Sequence, residues 1–394
     1  KVVDIYDNTT NTWDTIHLSQ GRYELTPAGI ASKVFFAGGD TGSGLSDVID
    51  IYDANDQSRA KHKLTGGGRQ FLVAASAGAK VLFAGGKTAT GYSADVDIYD
   101  NGTGQWTTTT LPGGARCRFA AASAGNKVFF AGGETGPGAI TAIVDIYDAS
   151  TSTWTQETLP SGARYFLVAA AVDNKVFFAG GRTLNPNPSN VVDIYDTNTE
   201  TWITSTHPLS QARFDFCAAT AGTKVFFAGG QTSSSTSAVV DIYDNSNGSW
   251  TEATLSAPRN SIAATSVGTK AFFGGGYQSG ASTVVDNVDI FFPIPTITNE
   301  NFIDVLNKGE SPKTSIMVDE PSNISTVNFR SRGISEGDSP FKSSVVTSTG
   351  DVYEKTFTGS DLSDLIGLEY YFEIIDQAGR SKVSSKQVAH NYYA

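Results

Sequence analysis

Sulfur, histidine and long apolar runs are what this 394-residue chain has least of, and each scarcity closes off a class of chemistry. Two cysteines, Cys117 and Cys217, cannot supply a disulfide framework. Their places in the repeat described below put them two blades apart, beyond the reach of one bridge, so they read as buried or channel-facing free thiols. Four histidines, His17, His62, His207 and His390, leave little for metal ligation or proton shuttling. No apolar run approaches the roughly 18–20 residues that span a bilayer. Lys and Arg number 28 against 40 Asp and Glu, a net charge of −12 and a pI near 4.8 that repel phosphate backbones, so nucleic acid is not an expected partner. The N-terminus lacks a basic region followed by an apolar core, and the expectation is that a leader has been removed with upstream sequence.

What the chain does have is a motif, V-D-I-Y-D, at a fixed period. Its first aspartate falls at Asp4, Asp50, Asp97, Asp145, Asp193, Asp241 and Asp289, at intervals of 46, 47, 48, 48, 48 and 48 residues. A period of this length implies a propeller or a stacked array. Arg22, Arg69, Arg116, Arg164, Arg213 and Arg259 each stand eleven residues before a lysine that opens a run such as K-V-F-F-A-G-G. Double glycines end these runs at Gly38/Gly39, Gly85/Gly86, Gly132/Gly133, Gly180/Gly181, Gly229/Gly230 and Gly275/Gly276, and a loop rich in Ser, Thr, Gly and Asn leads back to the motif. A tryptophan follows at Trp13, Trp106, Trp154, Trp202 and Trp250, with Arg59 in the equivalent place once. Short runs of β-branched, aromatic and small residues bounded by Gly, Asn and Asp are strands, four per unit, and no segment has a helical period.

The arginine, double glycine, tyrosine and tryptophan at these spacings resemble a kelch-repeat β-propeller over residues 1–292. That resemblance implies an all-β ring of radial four-stranded sheets, each burying its faces on its neighbours. Six first strands but seven third strands make the count favour seven blades, with part of one lying upstream of Lys1, while six remains open. After Phe292 the repeat stops at Pro293-Ile294-Pro295, and residues 293–394 read as a separate domain. Ile324–Arg332, Val352–Thr358 and Leu368–Asp376 alternate as strands, with a hairpin turn at Asp376-Gln377-Ala378-Gly379. Their length and spacing resemble an immunoglobulin-like or fibronectin type III-like β-sandwich.

A kelch propeller followed by such a domain is similar in architecture to galactose oxidase, whose copper is held by two tyrosines and two histidines. The Tyr-His neighbour pair of that family is absent, and His17, His62 and His207 fall around fourth strands, away from the axis; no copper or other cofactor is expected. Glu24, Asp215 and Glu134 are the acidic residues from which paired carboxylates for glycoside hydrolysis would come. Asp244-Asn245-Ser246-Asn247-Gly248 lacks the bidentate glutamate of a calcium loop and reads as a turn. The Asp anchors and the arginines recur in every blade, which assigns them to structure, as it does the tryptophans to packing between blades.

Function should lie where the blades differ. In a four-stranded meander the loop from second to third strand and the connection into the next blade share one face. There the glycines are followed by Asp40, Lys87, Glu134, Arg182, Gln231 and Tyr277, and the arginines by Tyr23, Gln70, Cys117, Tyr165, Phe214 and Asn260. Charge mixed with Tyr and Phe is what a protein- or glycan-binding surface uses. The sequence therefore reads as a noncatalytic binding or adhesion module of a larger extracellular, surface or secreted protein, flanked by further domains or assembled with other copies. A structural subunit of an extracellular filament is the alternative, and a copper oxidase is disfavoured. Sequons at Asn8, Asn101, Asn247 and Asn323 matter only in a cell that glycosylates them.

Overall fold

In the computed structural model, the described residues are 2–7, 10, 12–185, 187–203, 207–278 and 283–291, and in the C-terminal part 297–301, 305–306, 313–318, 324–333, 342–349, 352–356, 367–376, 381–384 and 387–391. All regular structure among them is strand. The chain divides into two compact units, Lys1–Ile290 and Phe291–Ala394. Pro293–Pro295, the turn residues 377–379, Asn8 and Asn323 lie outside the described residues.

Each K-V-F-F-A run becomes a second strand because it is short, apolar and stopped at both ends by residues that turn the chain. In blade 3 the strands are Ala120–Ala124, Lys127–Ala131, Ile143–Asp148 and Thr153–Thr158, in that order across one antiparallel sheet. Phe129 stands opposite Ile146, and Trp154 opposite Tyr147. Blade 1 (Thr26–Lys63), blade 2 (Val73–Thr110), blade 4 (Val168–Ile203) and blade 5 (Cys217–Thr254) repeat this meander. Among the described residues blade 6 has three strands, Ala263–Val267, Lys270–Gly274 and Val288–Phe291.

The blades stack through aromatic rings. Phe35 of blade 1 meets Tyr99 of blade 2 at 5.1 Å between centroids, Phe129 meets Tyr195 at 5.5 Å, and Phe177 meets Tyr243 at 4.9 Å. Tilted pairs of this kind add about 0.5–1.5 kcal/mol each beyond their buried area. The rings sit in clusters that span neighbouring sheets, such as Phe129, Phe178 and Tyr195 with the alanines of blade 3.

A second device joins the blades at the backbone, and it explains the double glycine. The second glycine donates its N–H to the arginine carbonyl of the next blade: Gly39 to Arg69 at 2.8 Å, Gly86 to Arg116 at 2.9 Å, Gly133 to Arg164 at 2.9 Å, Gly181 to Arg213 at 2.8 Å and Gly230 to Arg259 at 2.7 Å. Both glycines hold positive φ, +68° and +109° at Gly132 and Gly133, and a Cβ on Gly133 would sit 2.9 Å from the Cys117 carbonyl oxygen. No other residue type fits the pair.

The ring thus has six blades, the smaller of the two counts that the sequence allows. The preference for seven is corrected by the hairpin Val2–Asp7/Thr12–His17, which among the described residues pairs with no other strand and so belongs to none of the six sheets. It stacks on blade 6, Tyr6 lying 5.1 Å from Phe272. Trp13 also departs from expectation: half exposed at 52%, it packs on Tyr6 of its own hairpin at 5.1 Å, not between blades.

The described residues of the C-terminal unit form two sheets. One runs Ile297–Asn301, Lys313–Val318, Val352–Thr356, Thr347–Thr349; the other centres on Gly367–Asp376, paired with Ile324–Gly333, Ser381–Val383 and Gln387–Asn391. Phe372 and Ile374, on the face expected to be apolar, are buried, and Phe372 meets Phe329 at 5.4 Å.

Candidate functional site

The six arginines are not an anion ring. Arg116 reaches the Phe130 carbonyl at 3.1 Å and the Asp145 carboxylate at 2.7 Å, both side chains fully buried in one blade. Arg22–Asp50, Arg69–Asp97, Arg164–Asp193, Arg213–Asp241 and Arg259–Asp289 repeat the pair. Burial lowers the Arg69, Arg116, Arg164 and Arg213 pKa values, and the paired aspartates oppose it. The other aspartate oxygen holds the connection entering the blade, as in Gly113 N–H to Asp145 Oδ1 at 2.9 Å and Ser210 N–H to Asp241 Oδ1 at 2.9 Å. The strand entrance is thereby fixed, and the residues just after each arginine are held rigidly.

Those residues meet the loop residues that follow the glycines one to one. Tyr23 faces Asp40, Gln70 faces Lys87, Cys117 faces Glu134, Tyr165 faces Arg182, Phe214 faces Gln231 and Asn260 faces Tyr277. The two sets named from sequence therefore form a single rim. Blades 3 and 6 extend it with small hairpins, Glu134–Gly136 with Ala139–Ile140 and Tyr277–Gln278 with Thr283–Val284.

One position further on is a feature that the sequence does not announce. Glu24, Phe71, Arg118, Phe166, Asp215 and Ser261, each two residues after a blade arginine, all adopt the left-handed conformation, with φ between 51° and 54°. Such a conformation costs a non-glycine residue on the order of 1 kcal/mol or more, and six equivalent cases mean that the scaffold imposes it. Neighbours in this series are linked main chain to main chain, Arg118 N–H to Phe71 O at 3.3 Å, Phe166 N–H to Arg118 O at 2.8 Å and Ser261 N–H to Asp215 O at 3.1 Å. The six stand at equivalent places round the ring, on the side of the rim, and together form its mouth.

The mouth is polarised. Arg118 is clamped between Phe71 and Phe166, its guanidinium carbon 4.4 and 4.9 Å from the two ring centroids, and it donates to Glu134 Oε2 at 2.8 Å. Tyr92 donates to Glu134 Oε1 at 2.9 Å; burial, then this contact, pushes the Tyr92 hydroxyl up to about 12. Arg182 lies over Phe214 at 4.6 Å. Across the mouth, Asp215 accepts from Ser261 Oγ at 2.7 Å and Asn260 Nδ2 at 3.1 Å, yet burial raises its pKa against both donors. Burial raises Glu24 too, reinforced by Asp40 and Asp215 and opposed by Arg118 and Lys87, so charges from blades 1, 3 and 5 act on one another there. Asp215, the second of the three acids singled out from sequence, adds only a lesser charge effect at Glu24, while both oxygens of Glu134 are already engaged.

The other candidates lie elsewhere. Cys117 and Cys217 are buried and free, and burial pushes both thiols up to about 12. His62 stacks flat on Trp106 at 4.0 Å, His17 ends the hairpin, and His390 is in the C-terminal unit on the strand Gln387–Asn391. Among the described residues no cluster of three His, Cys, Asp or Glu side chains is placed to hold a metal ion. Among the described residues no helix is long and apolar enough to cross a membrane.

Six radial sheets, buried arginine–aspartate pairs and glycine sutures define a kelch-type propeller. Residues 118–314, half of the chain, match the KLHDC2/KLHL20/DRC7 Kelch-repeats domain, and the chain belongs to this kelch-repeat family. No curated protein matches it. Among solved structures it is similar to one titled "Structure of YjhT", with a TM-score of 0.55 and 15% identity over 69% of this chain and 95% of that one, which speaks to fold alone.

Proposed function

We propose that this propeller is a noncatalytic binding module that holds a protein partner on its channel mouth. The observation that carries the reading is the series of six left-handed residues, which presents six positions in one backbone conformation, filled by Glu, Phe, Arg, Phe, Asp and Ser. Residues forced into sparsely populated backbone regions cluster where a surface is preorganised for contact. Kelch propellers commonly act in protein binding, which supports the same reading. The partner segment would place acidic or aromatic groups against Arg118, Arg182 and Lys87, and basic or donor groups against Glu24, Asp215 and Asp40. A glycan stacked on the rim aromatics is the alternative ligand. Net acidity and loops rich in Ser, Thr and Asn support an extracellular setting within a larger surface or secreted protein.

The test is a peptide-library and glycan-array screen on the immobilised chain. A hit should lose at least about tenfold in affinity with Lys87→Glu or Arg182→Glu, and keep it with Asn126→Ala or Thr151→Ala on the opposite face. A hit that depends on Asn126 and Thr151 instead, or silence in both screens, would sink the proposal.

A further inference from the structure

Blade 1 departs from the four blades that follow it at one position of its fourth strand. In blades 2 to 5 a tryptophan stands opposite the V-D-I-Y-D tyrosine, as Trp106 does opposite Tyr99. Its indole packs on the second phenylalanine of the same blade: Phe83 and Trp106 lie 6.0 Å apart, Phe130 and Trp154 6.0 Å, Phe178 and Trp202 5.9 Å, and Phe227 and Trp250 6.0 Å. Those four phenylalanines are fully buried. In blade 1 the residue opposite Tyr52 is Arg59, and Phe36, the equivalent phenylalanine, is left half-buried.

The missing indole leaves a cavity of about 550 Å³, within the range of about 300–1,000 Å³ that small ligands fill. Phe36, Ile51 and Tyr52 line it from the blade, and Ile16 and Leu18 from the chain that enters the blade. None of its lining residues belongs to the rim.

The polar groups of the cavity are lopsided. Arg59 and Lys61 both line it, two residues apart on one strand and so on one face of the sheet. The ion pairs of blade 1 among the described residues are Arg22–Asp50, Lys33–Asp53 and Lys63–Asp47, and neither Arg59 nor Lys61 is in them. The one acid in the lining, Asp50, is already engaged, Oδ2 by Arg22 and Oδ1 by the Ser19 N–H at 3.3 Å. Ser19 lines the same cavity, and its Oγ is buried without a hydrogen-bond partner. At the same place in blades 4 and 6 the serine hydroxyl donates to the blade aspartate, Ser161 to Asp193 at 2.7 Å and Ser256 to Asp289 at 3.2 Å. A buried hydroxyl left over in this way marks a place for a further group.

We infer that this cavity binds a small aromatic carboxylate, independently of the partner at the mouth. The ring of the ligand takes the place over Phe36 that the indole fills in blades 2 to 5, its carboxylate meets Arg59 and Lys61, and the Ser19 hydroxyl gains an acceptor.

The experiment is isothermal titration of the 394-residue chain with indole-3-acetate as the probe. It should show one saturable site, with tryptamine, which has the ring and the opposite charge, and acetate, which has the charge and no ring, each at least about tenfold weaker. Arg59→Glu, a change at an exposed residue, should weaken indole-3-acetate by at least about tenfold. Arg59→Trp supplies the indole from the chain itself; it should abolish binding and raise the Tm by about 2 °C or more, the higher Tm showing that the variant is folded. No saturable binding at millimolar probe, tryptamine binding as tightly as indole-3-acetate, or binding that survives Arg59→Trp overturns the inference.

Discussion

Arg116 and Asp145 show what a single residue does in this fold. Neither is exposed, and Asp145 also holds Gly113 N–H and Gln156 Nε2. Arg116→Ala leaves a buried carboxylate without its cation and should cost about 3–5 kcal/mol, read as a drop in the urea midpoint. Arg116→Lys should recover only part, because one ammonium cannot span the Asp145 carboxylate and the Phe130 carbonyl as a planar fork does. The structural role of the arginines was legible in the sequence, since a group repeated in every blade cannot mark one site. The position two residues later was not. Left-handed backbone is read from Gly or Asn, and Glu24, Phe71, Arg118, Phe166, Asp215 and Ser261 carry no such signal; only their common distance from the arginines pointed to them.

At the scale of the strand and its turn, the last aspartate of V-D-I-Y-D does separate work. Asp148 Oδ1 accepts from Ser150 N at 2.8 Å and Thr151 N at 3.3 Å, closing the turn to the fourth strand, and Asp196 does the same for Asn198 and Thr199. The Ser150 hydroxyl at Asp148 and the Asn174 amide at Asp196 are the chief causes holding those carboxyls below the usual range. Burial would raise Asp244, but Lys224 and Ser246 hold it down to about 2. A depressed folded-state pKa contributes stability above the unfolded value and loses it as pH falls through the folded one. Tm should therefore fall steeply between about pH 4 and pH 2, and Asp244→Asn should make that limb shallower in a thermal series across pH. Asp215 and Glu24 shift upward, so acidification from pH 7 to pH 5 should not by itself loosen the mouth. Strand positions and turns were plain in the sequence because Gly, Asn and Asp bracket every run. Blade count was not, because it depends on whether Val2–Asp7 pairs with blade 6, and no local pattern encodes that.

Over the whole molecule, stability should be graded rather than uniform. Blades 2–5 are sutured on both sides by glycine–arginine backbone bonds, blades 1 and 6 on one side only. The inner strand of blade 6 is largely exposed, where that of blade 3 alternates between buried and half-buried. In a stack that transmits stability between neighbours, amide exchange should be slowest in blades 3 and 4 and fastest in the hairpin and blade 6. Equal protection throughout the ring would contradict this. The series of left-handed residues has a consequence of another kind. Because buried arginine–aspartate pairs and main-chain bonds hold those six peptides in place, their side chains are left to contact one another and the rim. Copying a blade reproduces the frame faithfully and leaves one letter free to be rewritten, so the mouth can change what it reads without the ring having to be rebuilt.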